Sequence, residues 1–214
     1  LCDISNQGKE VVLVTSGAIA AGKQAVHLKT TEGQTQAESM AIKQACSAIG
    51  QARLMMTYQK LFAEYNQVAA QILMTKNTIV DNLNRYNAHN TFTQLLKMGA
   101  IPVVNENDTV AIDELELEMG ENDSLAAVVA TIANADLLII MSDIDGLYDS
   151  DPRQNPDAKM IPVVREISED IHAVAGGAGT KFGTGGMATK IHAVEIAYES
   201  DIDVVLMNGQ HPKK

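Results

Sequence analysis

Short apolar runs alternate along the chain with longer stretches in which apolar residues recur every three or four positions. The runs predict strands at residues 11–15, 68–74, 101–104, 137–141 and 204–207, most of them rich in Val, Ile or Leu. Between the first two lies a helical stretch over 37–65, with Ala41, Ala45, Ala48, Ala52 and Met55 read as its buried stripe and the alanines as a sign of close packing. Further helices are predicted over 86–98 and 123–133, the latter burying Leu125, Val128, Val129 and Ile132. Met187, Ile191 and Val194 recur at i, i+4 and i+7, which opens another helix directly after Gly183, Gly185 and Gly186. Residues 110–119 alternate apolar with mostly acidic positions and read as a β-hairpin on an edge. Strands that are continuously apolar, alternating with amphipathic helices, indicate an α/β fold around a buried, mainly parallel sheet. Asp145-Gly146 and the run from Asp149 to Pro156 are turns, and no repeat or low-complexity tract interrupts the pattern.

Composition narrows the class of protein. A chain of 214 residues, 46% hydrophobic and 20% charged, has the make-up of a soluble globular protein with one main core. No apolar run approaches the length of a membrane span, and the N-terminus lacks the look of a signal peptide. The net charge of −11 argues against nucleic acid as a partner, and it obliges any anionic substrate to find local positive charge. Cys2 and Cys46 suggest neither a disulfide framework nor a zinc site, which points to a cytoplasmic home. His27, His89, His172, His192 and His211 show no metal-ligand spacing and read as surface or structural residues.

The glycine-rich loop is the sharpest chemical signal. Lys181-Phe-Gly-Thr-Gly-Gly-Met-Ala-Thr-Lys190 runs into a helix and places a lysine in its first turn. Free N–H groups at a helix start attract anions, glycines allow close approach, and a lysine adds a point charge suited to phosphate. Neither the Rossmann nor the Walker A spacing is matched, and glycines alone serve equally well as a loop before a surface helix. Three polar clusters follow predicted strands: Thr15-Ser16-Gly17-Ala18, Asn105-Glu106-Asn107-Asp108 and Ser142-Asp143-Ile144-Asp145-Gly146. A fourth, Gly120-Glu121-Asn122-Asp123-Ser124, precedes a helix. Taken singly, each is accounted for by ordinary turns and caps. Taken together they are expected to share a rim with the glycine loop and to face a common crevice, where α/β proteins place their chemistry.

Four of these segments carry a family resemblance: Val14-Thr-Ser-Gly-Ala-Ile-Ala-Ala-Gly22, Pro102-Val-Val-Asn-Glu-Asn-Asp108, Asn122-Asp-Ser-Leu-Ala-Ala127 and Gly183-Thr-Gly-Gly-Met-Ala-Thr-Lys190. In this order, over essentially the whole chain, they resemble the glutamate 5-kinases of the amino acid kinase family. The resemblance implies a three-layer α/β/α sandwich. It implies phosphoryl transfer from ATP to the side-chain carboxylate of L-glutamate, the first step of proline biosynthesis, with Mg²⁺ held mainly through the nucleotide phosphates. Position by position, it implies that Ser16, Gly17, Asn105, Asp108 and Asn122 meet glutamate, and that Asp123 organises the catalytic lysines. Ser142 and Asp143 match the residues beside ATP. Thr184, Gly185, Gly186, Met187, Ala188, Thr189 and Lys190 match the glycine loop, with Lys190 touching the transferred phosphate. It further implies a homo-oligomer, proline as a feedback inhibitor, and dealings with the next enzyme of the pathway.

The chain also departs from the family pattern. Glu121 stands where many members have aspartate, and Ser142 replaces a threonine. Nothing before Val11 resembles the family's first strand, Val-Lys-x-Gly-Thr/Ser, and no PUA domain follows the last predicted strand. The expectation is an amino acid kinase domain over 1–214 that is incomplete at its N-terminus. The role of residues 29–36, a polar segment with one glycine, is open. Alternatives are another amino acid kinase, acting on N-acetylglutamate or aspartate, the kinase part of a bifunctional pyrroline-carboxylate synthase, or a non-catalytic amino-acid sensor.

Overall fold

The computed structural model describes residues 1–28, 35–110, 122–176 and 186–210. They divide into two compact units, Leu1–Asn122 and Asp123–Lys214.

In the first unit the order is α1 (Cys2–Asn6), β1 (Leu13–Val14), α2 (Ala18–Ala25), α3 (Gln36–Ala63), β2 (Val68–Met74), α4 (Lys76–Val80), α5 (Asn82–Lys97) and β3 (Ala100–Glu106). The three strands form a parallel sheet with β3 in the middle. Its central place explains why residues 100–105 of β3 are all buried, as the unbroken apolar run requires. Leu13 pairs with Val103, Val68 with Ala100 and Met74 with Glu106, so all three strands finish on one edge. Thr15 N–H extends the ladder by donating to the Val104 carbonyl at 2.9 Å, and Asn107 N–H donates to that of Met74 at 2.7 Å. Met55 and Phe62 of α3 pack on Ile101 and Val103, with the Tyr58 ring against Phe62.

The buried face of α3 is not the alanine stripe. Ala41, Ala45, Ala48 and Ala52 are exposed; of the predicted set Met55 alone is buried, together with Cys46, Ser47, Gly50, Gln51 and Phe62. The face is chosen by two neighbours distant in sequence. Toward α2, Gly50 and Gly22 allow the two backbones to touch: a Cβ on Gly50 would lie 1.7 Å from the Ala18 carbonyl oxygen, and one on Gly22 would lie 1.8 Å from that of Cys46. Toward the end of β3, Ser47 and Gln51 are buried because hydrogen-bond partners meet them there.

The second unit contains α6 (Asn122–Ala133, its first residue belonging to the first unit), β4 (Leu137–Ser142), α7 (Glu169–Gly176), α8 (Gly186–Tyr198) and β5 (Asp203–Asn208). β4 and β5 pair in parallel from Leu137–Asp203 to Ser142–Asn208. Ala127 and Ala130 of α6, Ala193 and Ala197 of α8, and Leu138, Ile140 and Ile202 form its core. Small side chains on both helices permit close packing on the sheet. Leu125, Val129 and Ile132 are buried as the periodicity of α6 predicts, and Val128 is half-buried. Tyr148 and Met160 form an isolated antiparallel bridge that ties off the turn-rich segment after β4.

All five predicted strands are present, and every strand pair among the described residues is parallel, which makes the chain an α/β protein. The short helices α1, α2, α4 and α7 carry too few turns for an apolar period to register. Most of the expected hairpin (111–119) and of the polar segment at 29–36 (29–34) lies outside the described residues. No described helix is long and apolar enough to cross a membrane.

Candidate active site

Because β1 and β3 are parallel neighbours, their loops emerge on the same edge of one sheet. That brings Ser16 and Gly17 into one neighbourhood with Asn105 and Asp108. Gly17 caps α2 with φ 102°, a left-handed conformation that side-chain-bearing residues rarely adopt, and Ser16 beside it is exposed. The glycine contact between α2 and α3 fixes where this turn sits.

Asn105 is 4% exposed. Its Oδ1 accepts from Glu106 N–H at 2.9 Å and its Nδ2 donates to Gln51 Oε1 at 3.0 Å, so neither end of the amide is free to rotate. Asp108, half-buried, accepts from Ser47 Oγ at 2.7 Å through Oδ2. Thr15, next to Ser16, shares a 2.7 Å hydrogen bond with the Tyr58 hydroxyl. Asn122 is half-buried at the start of α6. Asn105 and Asp108 together offer an amide and a carboxylate for a cation, which suits the head of an amino acid.

In the second unit Ser142 ends β4, with Asp143 after it, and Gly209 N–H donates to the Ser142 carbonyl at 2.9 Å. Ser142 Oγ donates to Asp143 Oδ1 at 3.3 Å, and the exposed Asp143 faces Arg153 at 3.4 Å. Asn208, at the end of the neighbouring strand, donates to Asp145 Oδ1 at 2.9 Å. Gly186, Met187, Ala188, Thr189 and Lys190 form the first five residues of α8, while Thr184 and Gly185 lie outside the described residues, as do Gly183 and Glu121. Thr189 Oγ1 bonds back to the Gly186 carbonyl at 3.3 Å.

Lys190 and Asp123 come together. Lys190 Nζ donates to Asp123 Oδ2 at 2.7 Å, with the two side chains only 14% and 18% exposed. They come from residue 190 of α8 and residue 123 of α6, the two helices whose alanines share the core on β4–β5. A short ion pair shielded from water is strong and directional, and removal of either partner leaves a partly buried charge uncompensated. The pair thus fixes the position of one cation at the start of the glycine-loop helix.

Four participants escape a reading of the sequence. Ser47, Gln51 and Tyr58 sit mid-helix, where polar residues normally face water, and their partners lie 61, 54 and 43 residues away. Arg153 belongs to a turn whose composition gives no hint of Asp143. The one locally visible signal is that Ser47 and Gln51 stand four residues apart, on one helical face.

The family model for the amino acid kinase family matches residues 1–208. A glutamate 5-kinase of Clostridium perfringens is 49% identical over 100% of this chain and 78% of its own length. One from Caldanaerobacter subterraneus is 50% identical over 98% of this chain, which spans only 55% of that protein. Among solved structures, the isopentenyl phosphate kinase of T. acidophilum superposes with a TM-score of 0.60 at 19% identity, covering 99% of this chain and 80% of that one. A uridylate kinase from Archaeoglobus fulgidus gives 0.54 at 19% identity, covering 97% and 79%. These two speak for the fold alone. A match across nearly the whole chain, with relatives at about half identity, decides the family: the chain belongs to the amino acid kinase family, and within it to the glutamate 5-kinases.

Proposed function

We propose that this chain transfers the terminal phosphoryl group of ATP to the side-chain carboxylate of L-glutamate, giving L-glutamyl 5-phosphate for proline biosynthesis. The observation that carries the reading is the shielded Lys190–Asp123 pair at the start of the glycine-loop helix, in a chain about half identical to glutamate 5-kinases.

The chemistry asks little of acid–base groups. A glutamate side chain, with an ordinary pKa of about 4.3, is already ionised near neutral pH and needs no base to make it a nucleophile. The difficulty is bringing an anion up to a triphosphate, so positioning and charge neutralisation supply nearly all of the catalysis. Lys190 meets the charge on the transferred group, and Asp123 aims Lys190. On the substrate side Asp108 takes the α-ammonium, and Asn105, Asn122, Ser16 and Gly17 hold the remaining polar groups. Ser142 and Asp143 stand beside the nucleotide, and the start of α8, from Gly186 to Lys190, meets its phosphates.

Magnesium supplies charge neutralisation when it accompanies ATP. Three carboxylates at the helix and strand ends of the second unit already have partners: Asp123 holds Lys190, Asp143 faces Arg153 and Asp145 accepts from Asn208. That donor set suits an ion held through the phosphates and its own waters rather than by a protein cage. A cytoplasmic location, homo-oligomerisation, feedback by proline and transfer to the next enzyme belong to the same proposal.

The test is ADP release from ATP and Mg²⁺ by the full-length protein with L-glutamate, N-acetylglutamate or L-aspartate as acceptor. Turnover with L-glutamate and little with the other two is expected. Preference for either rival acid identifies another amino acid kinase. Glutamate binding without turnover identifies a sensor.

A further inference from the structure

We propose that α3 sets the geometry of the amino-acid site, with Ser47, Gln51 and Tyr58 as positioning residues; the inference rests on the assignment of glutamate to Asn105, Asp108 and Ser16. The three lie at i, i+4 and i+11 of one helix and so share its inner face. Each bonds to a different part of the candidate site. Ser47 holds Asp108 at 2.7 Å, Gln51 holds Asn105 at 3.0 Å, and Tyr58 holds Thr15, beside Ser16, at 2.7 Å. One rigid helix thereby reaches both strand-end loops.

The bonds also determine what the site offers. With Asn105 Oδ1 taken by Glu106 N–H and one hydrogen of Nδ2 taken by Gln51, the remaining amide hydrogen is a donor of fixed direction, suited to a carboxylate oxygen. Ser47 occupies Asp108 Oδ2, and among the described residues no hydrogen bond reaches Oδ1, which is left for a cation. A donor at the end of β3 and an acceptor three residues further on match the carboxylate and ammonium of a free α-amino acid.

A purely structural role is the competing account, and Gln51 counts against it. Its Nε2 is buried with no hydrogen-bond partner among the described residues, while the residue as a whole is 7% exposed. An unpaired buried donor lowers stability, and an apolar side chain of similar size would avoid it. The amide is explained by its oxygen, which orients Asn105.

The experiment compares the full-length protein with Ser47→Ala, Ser47→Thr, Gln51→Met and Gln51→Glu, measuring kcat, the KM for L-glutamate, the KM for ATP and the melting temperature. Ser47→Ala and Gln51→Met are expected to raise the glutamate KM about tenfold, with the ATP KM changed by less than about twofold. Ser47→Thr keeps the hydroxyl and is expected to retain the wild-type KM. Gln51→Glu keeps an acceptor for Asn105 and is expected to lie closer to wild type than Gln51→Met. Variants that melt earlier yet keep the wild-type glutamate KM would overturn the inference while leaving the assigned activity intact. A wild-type protein without glutamate-dependent ADP release would overturn the site assignment itself, and this inference with it.

Discussion

At the residue scale the two charges that matter most are each held by one neighbour, and each gives a separable prediction. Lys190 is pinned by Asp123 at 2.7 Å, so in the proposed transfer its charge is in place before the phosphoryl group moves. Lys190→Met should lower kcat by about 10²-fold, the order seen when one preorganised electrostatic donor is lost. Steady-state turnover checks this, and near-normal kcat would remove Lys190 from the catalytic set. Asp108 is assigned to the substrate ammonium. Asp108→Asn keeps its shape without the charge, and loss of a charge-assisted contact of about 1.5–3 kcal/mol should raise the glutamate KM roughly 10- to 150-fold. The ATP KM should hardly change, and a change in that constant instead would move Asp108 to the nucleotide side. Both residues stand out in the sequence because they sit in motifs. Ser47 and Gln51 do not, since their partners lie 61 and 54 positions away and the four-residue spacing of the pair does not point to them.

At the element scale the apolar runs coincide with the strands, whereas the alanine spacing points the long helix the wrong way. β3 is apolar along its length because it is central, and that signal needs no knowledge of neighbours. α3 is harder, because it carries small residues on two faces. Ala41, Ala45, Ala48 and Ala52 keep the expected helical spacing, yet it is Cys46 and Gly50 that meet Ala18 and Gly22. Contact between two backbones selects glycine, and the partner glycine lies in another helix. Gly50→Ala should cost about 1–3 kcal/mol by overpacking, because its Cβ would meet backbone atoms of α2 that have no rotamer to yield. Ala52→Ser on the exposed face should change stability by less than about 0.5 kcal/mol. Denaturant unfolding of both variants checks the orientation of α3, and equal costs would reverse it. The start of the same helix supplies a pH dependence. Glu38 is held below its ordinary pKa, first by Thr35 N–H at 2.9 Å and then by the Thr35 hydroxyl, as the second half of a capping box. A depressed folded pKa means that this stabilisation is complete above the ordinary glutamate value and disappears as pH falls through the depressed one. Glu38→Gln should therefore melt below wild type at neutral pH, and the two curves should converge in acid. A constant gap down to low pH would show that the carboxylate charge contributes nothing.

At the scale of the whole molecule, the residues assigned to the two substrates fall in different compact units, each with its own core. Ser16, Gly17, Asn105, Asp108 and Asn122 belong to residues 1–122, whereas Asp123, Ser142, Asp143 and Lys190 belong to 123–214. The boundary falls between Asn122 and Asp123, within one motif, where composition gives no warning of it. Because each ligand stabilises what it touches, binding should appear as local protection from amide hydrogen exchange. L-glutamate alone should slow exchange at the end of β3 and the start of α2, around residues 100–108 and 15–22. A non-hydrolysable ATP analogue with Mg²⁺ should slow it at the end of β4 and in the first turns of α8, around 137–145 and 186–194. At about 100 times its dissociation constant, either ligand should add roughly 2.7 kcal/mol to the opening free energy of the segments it protects, provided exchange there requires ligand release. With a background charge of −11, protection by the nucleotide should weaken if Lys190 is replaced by Met, while protection by glutamate should persist. If glutamate instead protects the glycine-loop helix and leaves residues 100–108 unchanged, the division of the substrates between the units is reversed.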